Sequence, residues 1–334
     1  MNATARPRSP MTEALREIQA PVRERLEEAS EEMRRIVVSD LPLIETVSEH
    51  LLKMRGKMFR PTLTLLASAV EGRPDRRAVT LAAVIEMIHL ATLVHDDSVD
   101  HSVMRRGLPT VNAMFSHQVS VIMGDFLYAR ALVALVEVGE MEFLHLLSRI
   151  TTELTVGEMR QLGAVDALGF SEEDYESLIR AKTAVLLGGA CELGAMCGAS
   201  RHRAALARFG DRLGMAFQVA DDILDYVEDS ATTGKPSGLD LKEHKVTLPL
   251  IGALRTVTPA ARKRIDALFA EPQPGDDLVA EVVGIVIEAG GIDFARERGE
   301  QFARQAEEAL TGLPDNPAVA ALRDSITYVM DRRS

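Results

Sequence analysis

At 334 residues the chain is long enough to bury a large core. Its composition, 46% hydrophobic, only 4% aromatic and without Trp, is that of an all-helical protein rich in Ala, Leu, Glu and Arg. A formal charge of -12 argues against a nucleic-acid partner, which requires a basic footprint, but not against phosphorylated small molecules, which a few placed cations or a bridging divalent metal can hold.

Cys191 and Cys197 lack the paired spacing of a zinc site and read as buried thiols. Met1 to Pro10 carries Arg6 and Arg8 with no apolar segment behind them, so it reads as a disordered tail and not a secretory signal, and a cytoplasmic location is expected. No charge-free apolar stretch has bilayer-spanning length; the nearest, Thr183 to Ser200, is interrupted by Glu192. Pro21 opens an amphipathic helix with Val22, Leu26, Ala29, Met33 and Val37 at helical spacing. After a short helix from about Leu43 to Lys53 comes Arg55-Gly56-Lys57-Met58-Phe59-Arg60-Pro61. Here Gly permits a turn and Pro opens the next helix. That leaves Lys57 and Arg60 at a helix N-terminus, where side-chain charge and free N–H groups both favour an anion; taken alone, the stretch is a solvated basic turn.

Asp75 to about His101 reads as one long helix ending in His95-Asp96-Asp97-Ser98-Val99-Asp100. At 100° per residue, Ile85, His89, Thr92, Asp96 and Asp100 share a narrow stripe that would line a cavity. By itself His89 would more simply be a satisfied core histidine. Arg105 and Arg106 follow in a loop, placed either to neutralise the acids or to fork onto phosphate. Thr110 to Val138 and Glu140 to Gly163 read as two helices, the first apolar nearly all round and so buried in its subunit or in a dimer interface. Ser171, with Asp174 at the capping-box position, starts a helix carrying Lys182-Thr183 in its middle, where a Lys among Ala, Leu and Gly calls for an anion.

A helix from about His202 to Val227 ends in a second acidic cluster, Asp221-Asp222-Ile223-Leu224-Asp225. Thr232 to Gly238 is a loop able to act as a lid; Asp240, Lys242 to Lys245 and Thr247-Leu248-Pro249-Leu250 follow, and Pro259 to Ser334 reads as four scaffold helices. With no strand alternation and no fixed repeat, residues 11–334 read as one all-α domain. Two identically spaced acidic clusters, each after an apolar helix, point to a metal-bound polyanion at the mouth of an apolar pocket.

Six signatures stand in order: Gly56 to Pro61 as Gly-Lys-x-x-Arg-Pro, His95 to Asp100 followed by Arg105-Arg106-Gly107, Gly124-Asp125, Lys182-Thr183, Phe217-Gln218-x-x-Asp-Asp-x-x-Asp, and Lys235 with Lys245-x-Thr-Leu-Pro. On these the sequence resembles the trans-isoprenyl diphosphate synthases of the polyprenyl synthetase family, by motif from about Leu51 to Leu250, and most of all the medium- and long-chain all-trans-polyprenyl diphosphate synthases. The resemblance implies a single large helical bundle around a central apolar cavity, the isoprenoid synthase fold. It also implies a prenyltransferase that condenses isopentenyl diphosphate with an allylic diphosphate, head to tail and trans. Asp96 and Asp100 would then ligate two Mg²⁺ ions and Asp221 a third, with Mn²⁺ an alternative; Asp97, Asp222 and Asp225 would support them directly, through water or from the outer shell. The i, i+4 spacing suits this, since both carboxylates leave one helix face. By the same resemblance Arg105, Lys182, Thr183, Gln218 and Lys235, with Lys245 nearby, would bind the allylic diphosphate, and Lys57, Arg60, His89 and Arg106 isopentenyl diphosphate. A homodimer and a peripheral membrane contact for product release are expected.

Three positions depart from the family pattern: Met58 where Arg is usual, His244 where Gly is usual, and Val156-Gly157-Glu158 in place of Glu-Gly-Glu. Residues four and five before the first Asp set the tunnel ceiling in the family; here they are the small Thr92 and Ala91. Val84, Ile88, Val121 and Ile122 are candidates for the floor, and none is aromatic, which favours a product longer than geranylgeranyl. Tyr328-Val329-Met330-Asp331-Arg332 also resembles long-chain quinone-tail synthases. The rivals are a short-chain farnesyl or geranylgeranyl synthase, a class I terpene cyclase, which usually carries an Asn/Ser/Glu motif in place of the second cluster, and a non-catalytic subunit, which tends to lose the acidic motifs intact here.

Overall fold

The computed structural model describes residues 10–54, 56–72, 75–162, 167–227 and 237–331. Residues 1–9 of the expected tail lie outside the described residues, as does Thr232 to Pro236 of the expected lid with Lys235, while Pro10 already begins a helix. In chain order the helices are α1 (Pro10–Gln19), α2 (Arg23–Ile36), α3 (Pro42–Met54), α4 (Phe59–Ser68), α5 (Arg77–Val99), α6 (Val111–Met114), α7 (His117–Val138), α8 (Met141–Leu162) and α9 (Glu172–Ile179). Then come α10 (Val185–Gly198), α11 (Arg203–Val227), α12 (Leu239–Lys242), α13 (Leu248–Leu254), α14 (Pro259–Ala270), α15 (Asp276–Glu288), α16 (Gly291–Ala309) and α17 (Pro317–Met330).

Helix α5 is the axis of the bundle. Ala82, Ala83, Val84, Ile85, Met87 and Ile88 are buried on every side of it, because α2, α4, α7 and α10 pack around it. It runs antiparallel to α7: Ser98 meets His117 near one end, and Arg77 reaches Glu140 just beyond the other. Contact between these two helices depends on Gly124, since a Cβ there would lie 2.3 Å from His95 Nε2. By length and composition both α5 and α7 could cross a bilayer, although neither is charge-free, Glu86 lying within α5 and Asp125 and Arg130 within α7. In α5 that apolarity serves the core, 72% of its most apolar window being buried, against 39% in α7.

Three local features differ from the sequence reading. The stretch expected as one helix from Thr110 is two, because Ser116 caps α7 afresh by accepting from Val119 N at 3.2 Å. The arginine loop is a small antiparallel hairpin, β1 (Met104–Arg105) with β2 (Leu108–Pro109), turned by Arg106 and Gly107 at φ +52° and +77°. The helix capped by Ser171, whose box with Asp174 is as expected, does not run evenly through Lys182: Arg180–Ala184 is a π turn. Behind α11, a smaller core of Tyr226, Leu241, Leu250, Leu268 and Val282 ties α12 to α15.

Candidate active site

Asp96 and Asp100 leave α5 one turn apart, as the helical stripe requires. Burial, then the neighbouring Glu158 carboxylate, pushes Asp96 up to about 6 even though Lys182 opposes the shift. Asp97 points elsewhere: it is buried and accepts from Arg105 Nε at 2.7 Å. One loop arginine therefore neutralises the cluster. The other is sent back by the left-handed turn; Arg106 Nη1 donates to Met54 O at 2.8 Å, and its guanidinium lies where a Cβ on Gly56 would come within 2.6 Å of it. The Gly-Lys-x-x-Arg-Pro loop and Arg106 thus meet in space. His89 lies near the same arginines, and burial, with Arg60 and Arg106 adding their charge, holds it well below the usual imidazole range, so it is neutral.

The second cluster divides its labour differently. Asp222 is buried and accepts from Tyr175 Oη at 2.6 Å and Gln218 Nε2 at 2.8 Å. Burial still pushes it up to about 8. The Gln218 carbonyl in turn accepts from Thr183 Oγ1 at 2.8 Å, so one hydrogen-bonded chain links the π turn, α11 and α9. Asp225 receives the N–H groups of Leu239 and Asp240, each at 3.1 Å, and caps the short helix of the returning strap. Only Asp221 of this cluster is exposed. Lys182 is 3.0 Å from Glu158 and donates to Gln161 Oε1 at 2.6 Å. Lys245 pairs with Glu243 at 2.6 Å and stands 3.7 Å from Asp240, which burial and Asp225 push up to about 6.

These groups surround a cleft of about 950 Å³, with Asp100 on one side, Asp221, Asp222 and Asp225 on the other, and Lys182, Thr183, Gln218 and Lys245 in its walls. Among the described residues no three acidic, His or Cys side chains converge on a ready-made metal position. The donor set nonetheless fits Mg²⁺, which takes one or two carboxylates and draws its other oxygens from phosphate and water. Asp96, Asp100 and Asp221 are all oxygen donors, and the Glu158 and Asp100 charges help to push Asp96 up. Asp97, Asp222 and Asp225 are each engaged by protein donors.

Of the chain-length residues, Ile88 and Ala91 are buried, whereas Thr92 is half-buried and donates from Oγ1 to His89 O at 2.8 Å. Val121 and Ile122 correct the expected floor: they are 44% and 62% exposed, because α7 turns that face outward. Two departures from the family pattern share a backbone conformation. Met58 and His244 have φ of +54° and +57°, the region glycine favours. His244 is held there by Leu268 O and Glu271 O, 3.3 and 2.9 Å from Nε2, and by Phe269 edge-on. Sequence reasoning passed over Tyr175, Gln161 and Asp240; the one available signal is that Glu158 and Gln161 share a face of α8, three residues apart.

Residues 41–286 match the family model for polyprenyl synthetase. The chain belongs to the polyprenyl synthetase family. An all-trans-nonaprenyl-diphosphate synthase (geranyl-diphosphate specific) of Rhodobacter capsulatus is 38% identical over 318 residues, 95% of this chain and 97% of its own. Octaprenyl diphosphate synthase of Escherichia coli K12 is 38% identical over 286 residues, 85% and 88% of the two chains. Among solved structures, a polyprenyl synthase of Caulobacter crescentus CB15, complexed with calcium and isoprenyl diphosphate, superposes with a TM-score of 0.90 at 32% identity, covering 96% of this chain and 98% of that one. The all-α isoprenoid synthase fold expected of a polyprenyl synthetase is the one observed, and the chain is a prenyltransferase of the chain-elongating kind.

Proposed function

We propose that the chain condenses isopentenyl diphosphate with an allylic diphosphate, head to tail and trans, and repeats the step to a polyprenyl diphosphate longer than geranylgeranyl, with Mg²⁺ as the metal. The observation that carries this is the cleft itself: Asp100 of the first acidic cluster and Asp221, Asp222 and Asp225 of the second face one volume, with Lys182 and Lys245 in its walls. Asp96, Asp100 and Asp221 would hold the metal, which when bound offsets the charge growing on the departing diphosphate. Lys182 and Gln218 orient the allylic diphosphate. Glu158 and Gln161 hold the Lys182 ammonium in place, and Thr183 and Asp222 fix the Gln218 amide. Lys57, Arg60 and Arg106 hold the second substrate so that its double bond faces the ionising carbon, and neutral His89 lies beside them. Ile85 and Ile88 exclude water that would quench the allylic cation. The released proton passes to the departing diphosphate, and small Thr92 and Ala91 let the chain grow past them.

A homodimer through α7 belongs to the same proposal. Ile122, Phe126, Ala129, Val133 and Val136 recur every three or four residues on a face this chain leaves largely uncovered. Incubating the purified protein with Mg²⁺, isopentenyl diphosphate and allylic primers of several lengths, then sizing the products, tests the function. A ladder ending beyond twenty carbons is expected. A dominant product of fifteen or twenty carbons refutes the long-chain assignment, and no consumption of isopentenyl diphosphate refutes condensation.

A further inference from the structure

The last helix, α17, brings Tyr328 to the basic pocket, where none of the roles above uses it. Its side chain is nearly fully buried, its ring centre 5.6 Å from that of Phe59, and the Lys57 ammonium stands 5.8 Å from the ring centre, within cation–π range. Phe59 in turn stacks on Phe217 at 6.4 Å, the residue before Gln218. The backbone of this loop is fixed from outside, Gln19 Nε2 donating to Lys57 O at 2.9 Å and lying 3.1 Å from Thr62 Oγ1. Yet the Tyr328 hydroxyl is buried and has no hydrogen-bond partner among the described residues. A buried hydroxyl without a partner is destabilising, and buried tyrosines usually find one. For packing against Phe59 and Lys57 alone, Phe would serve equally well.

We propose that Tyr328 is a binding residue for the homoallylic substrate: its hydroxyl donates to a diphosphate oxygen of isopentenyl diphosphate, directly or through one water, once that substrate sits on Lys57 and Arg60. This rests on the assignment of Lys57, Arg60 and Arg106 to that substrate. The orphaned hydroxyl is then one half of a contact that the diphosphate completes. The ring keeps the Lys57 ammonium turned inward, and α17 closes the pocket from the C-terminal side.

The test uses the full chain as wild type, Tyr328→Phe and Lys57→Ala, each with varied isopentenyl diphosphate at saturating allylic primer and the reverse, together with thermal melts without substrate. Tyr328→Phe is expected to raise KM for isopentenyl diphosphate by about tenfold, the loss of one hydrogen bond to a charged group. KM for the allylic primer and kcat should stay within about twofold, and the melting temperature should equal or exceed that of wild type because the orphan is gone. An unchanged KM for isopentenyl diphosphate in Tyr328→Phe, with KM raised in Lys57→Ala, overturns this inference alone. An unchanged KM in Lys57→Ala overturns the subsite assignment and the inference with it. A lower melting temperature with unchanged KM shows that the hydroxyl has a structural partner instead, and also refutes it.

Discussion

Tyr175→Phe isolates the contact on which the second acidic cluster leans. The phenol is 2% exposed and donates at 2.6 Å to a carboxylate that is itself 4% exposed, so no water can replace it. Burial and the Asp222 charge push the phenol well above its ordinary range, which keeps it a donor throughout the working pH. Losing one buried hydrogen bond and leaving its partner short of a donor costs about 2 kcal/mol. With unfolding entropy near 2.1 cal/mol/K per residue, a chain of this size should melt roughly 3 °C lower. Since Asp222 also accepts from the Gln218 amide, freeing the carboxylate loosens the anchor of that amide, and kcat should fall more than KM for isopentenyl diphosphate rises. The assay is a melting curve and steady-state kinetics on Tyr175→Phe, Asp222→Asn and the double variant. If the phenol works through Asp222, the double variant should lose clearly less than the sum of the singles. Additive losses, or a Tyr175→Phe protein that melts and turns over like wild type, would refute the reasoning.

Other outcomes follow from the same geometry. Asp96→Ala and Asp221→Ala should each abolish metal-dependent turnover while leaving the helical circular-dichroism spectrum intact; near-normal activity in either removes that residue from the metal site. Asp222 has a folded-state pKa of about 8, above its unfolded value. Its protonated form therefore stabilises the fold fully below the unfolded pKa, and that contribution is lost as pH rises through about 8. Denaturant melts of the metal-free protein should show stability falling across this window, and a flatter profile in Asp222→Asn. Thr92→Phe, which places a ring on the half-buried face above Ile88, should shorten the product, read by chromatography of the dephosphorylated alcohols. Ile122→Asp, at a position 62% exposed in the single chain, should shift the protein to monomer in sedimentation while leaving the monomer folded.

Several features could be read from residues close together in the chain. The acidic clusters at the ends of apolar helices, the stripe through Ile85, His89, Thr92, Asp96 and Asp100, the Ser171 cap and the all-α class are set by spacing, propensity and capping, which act within a few turns. Those signals are local, and the structure carries each of them. What they leave undecided is direction and partnership. Asp97 is adjacent in sequence to Asp96, yet the hairpin at Met104–Pro109 brings Arg105 against it and takes it out of the cleft. Asp225 has the spacing of a metal ligand and caps a helix starting 14 residues later, because Leu239 and Asp240 turn their N–H groups onto it. Tyr175 and Asp222 are 47 positions apart and meet only when α9 packs on α11. The π turn at Arg180–Ala184 leaves no mark in the hydrophobic pattern, yet Lys182 and Thr183 both lie in it. Val121 and Ile122 are as apolar as any core pair, and only the packing of α7 turns them outward. Sequence alone thus determined which residues are candidates for the chemistry, because spacing within a helix fixes their face. Tertiary structure decided which of them line the cleft and which are held by protein donors, because that depends on groups brought in from distant parts of the chain.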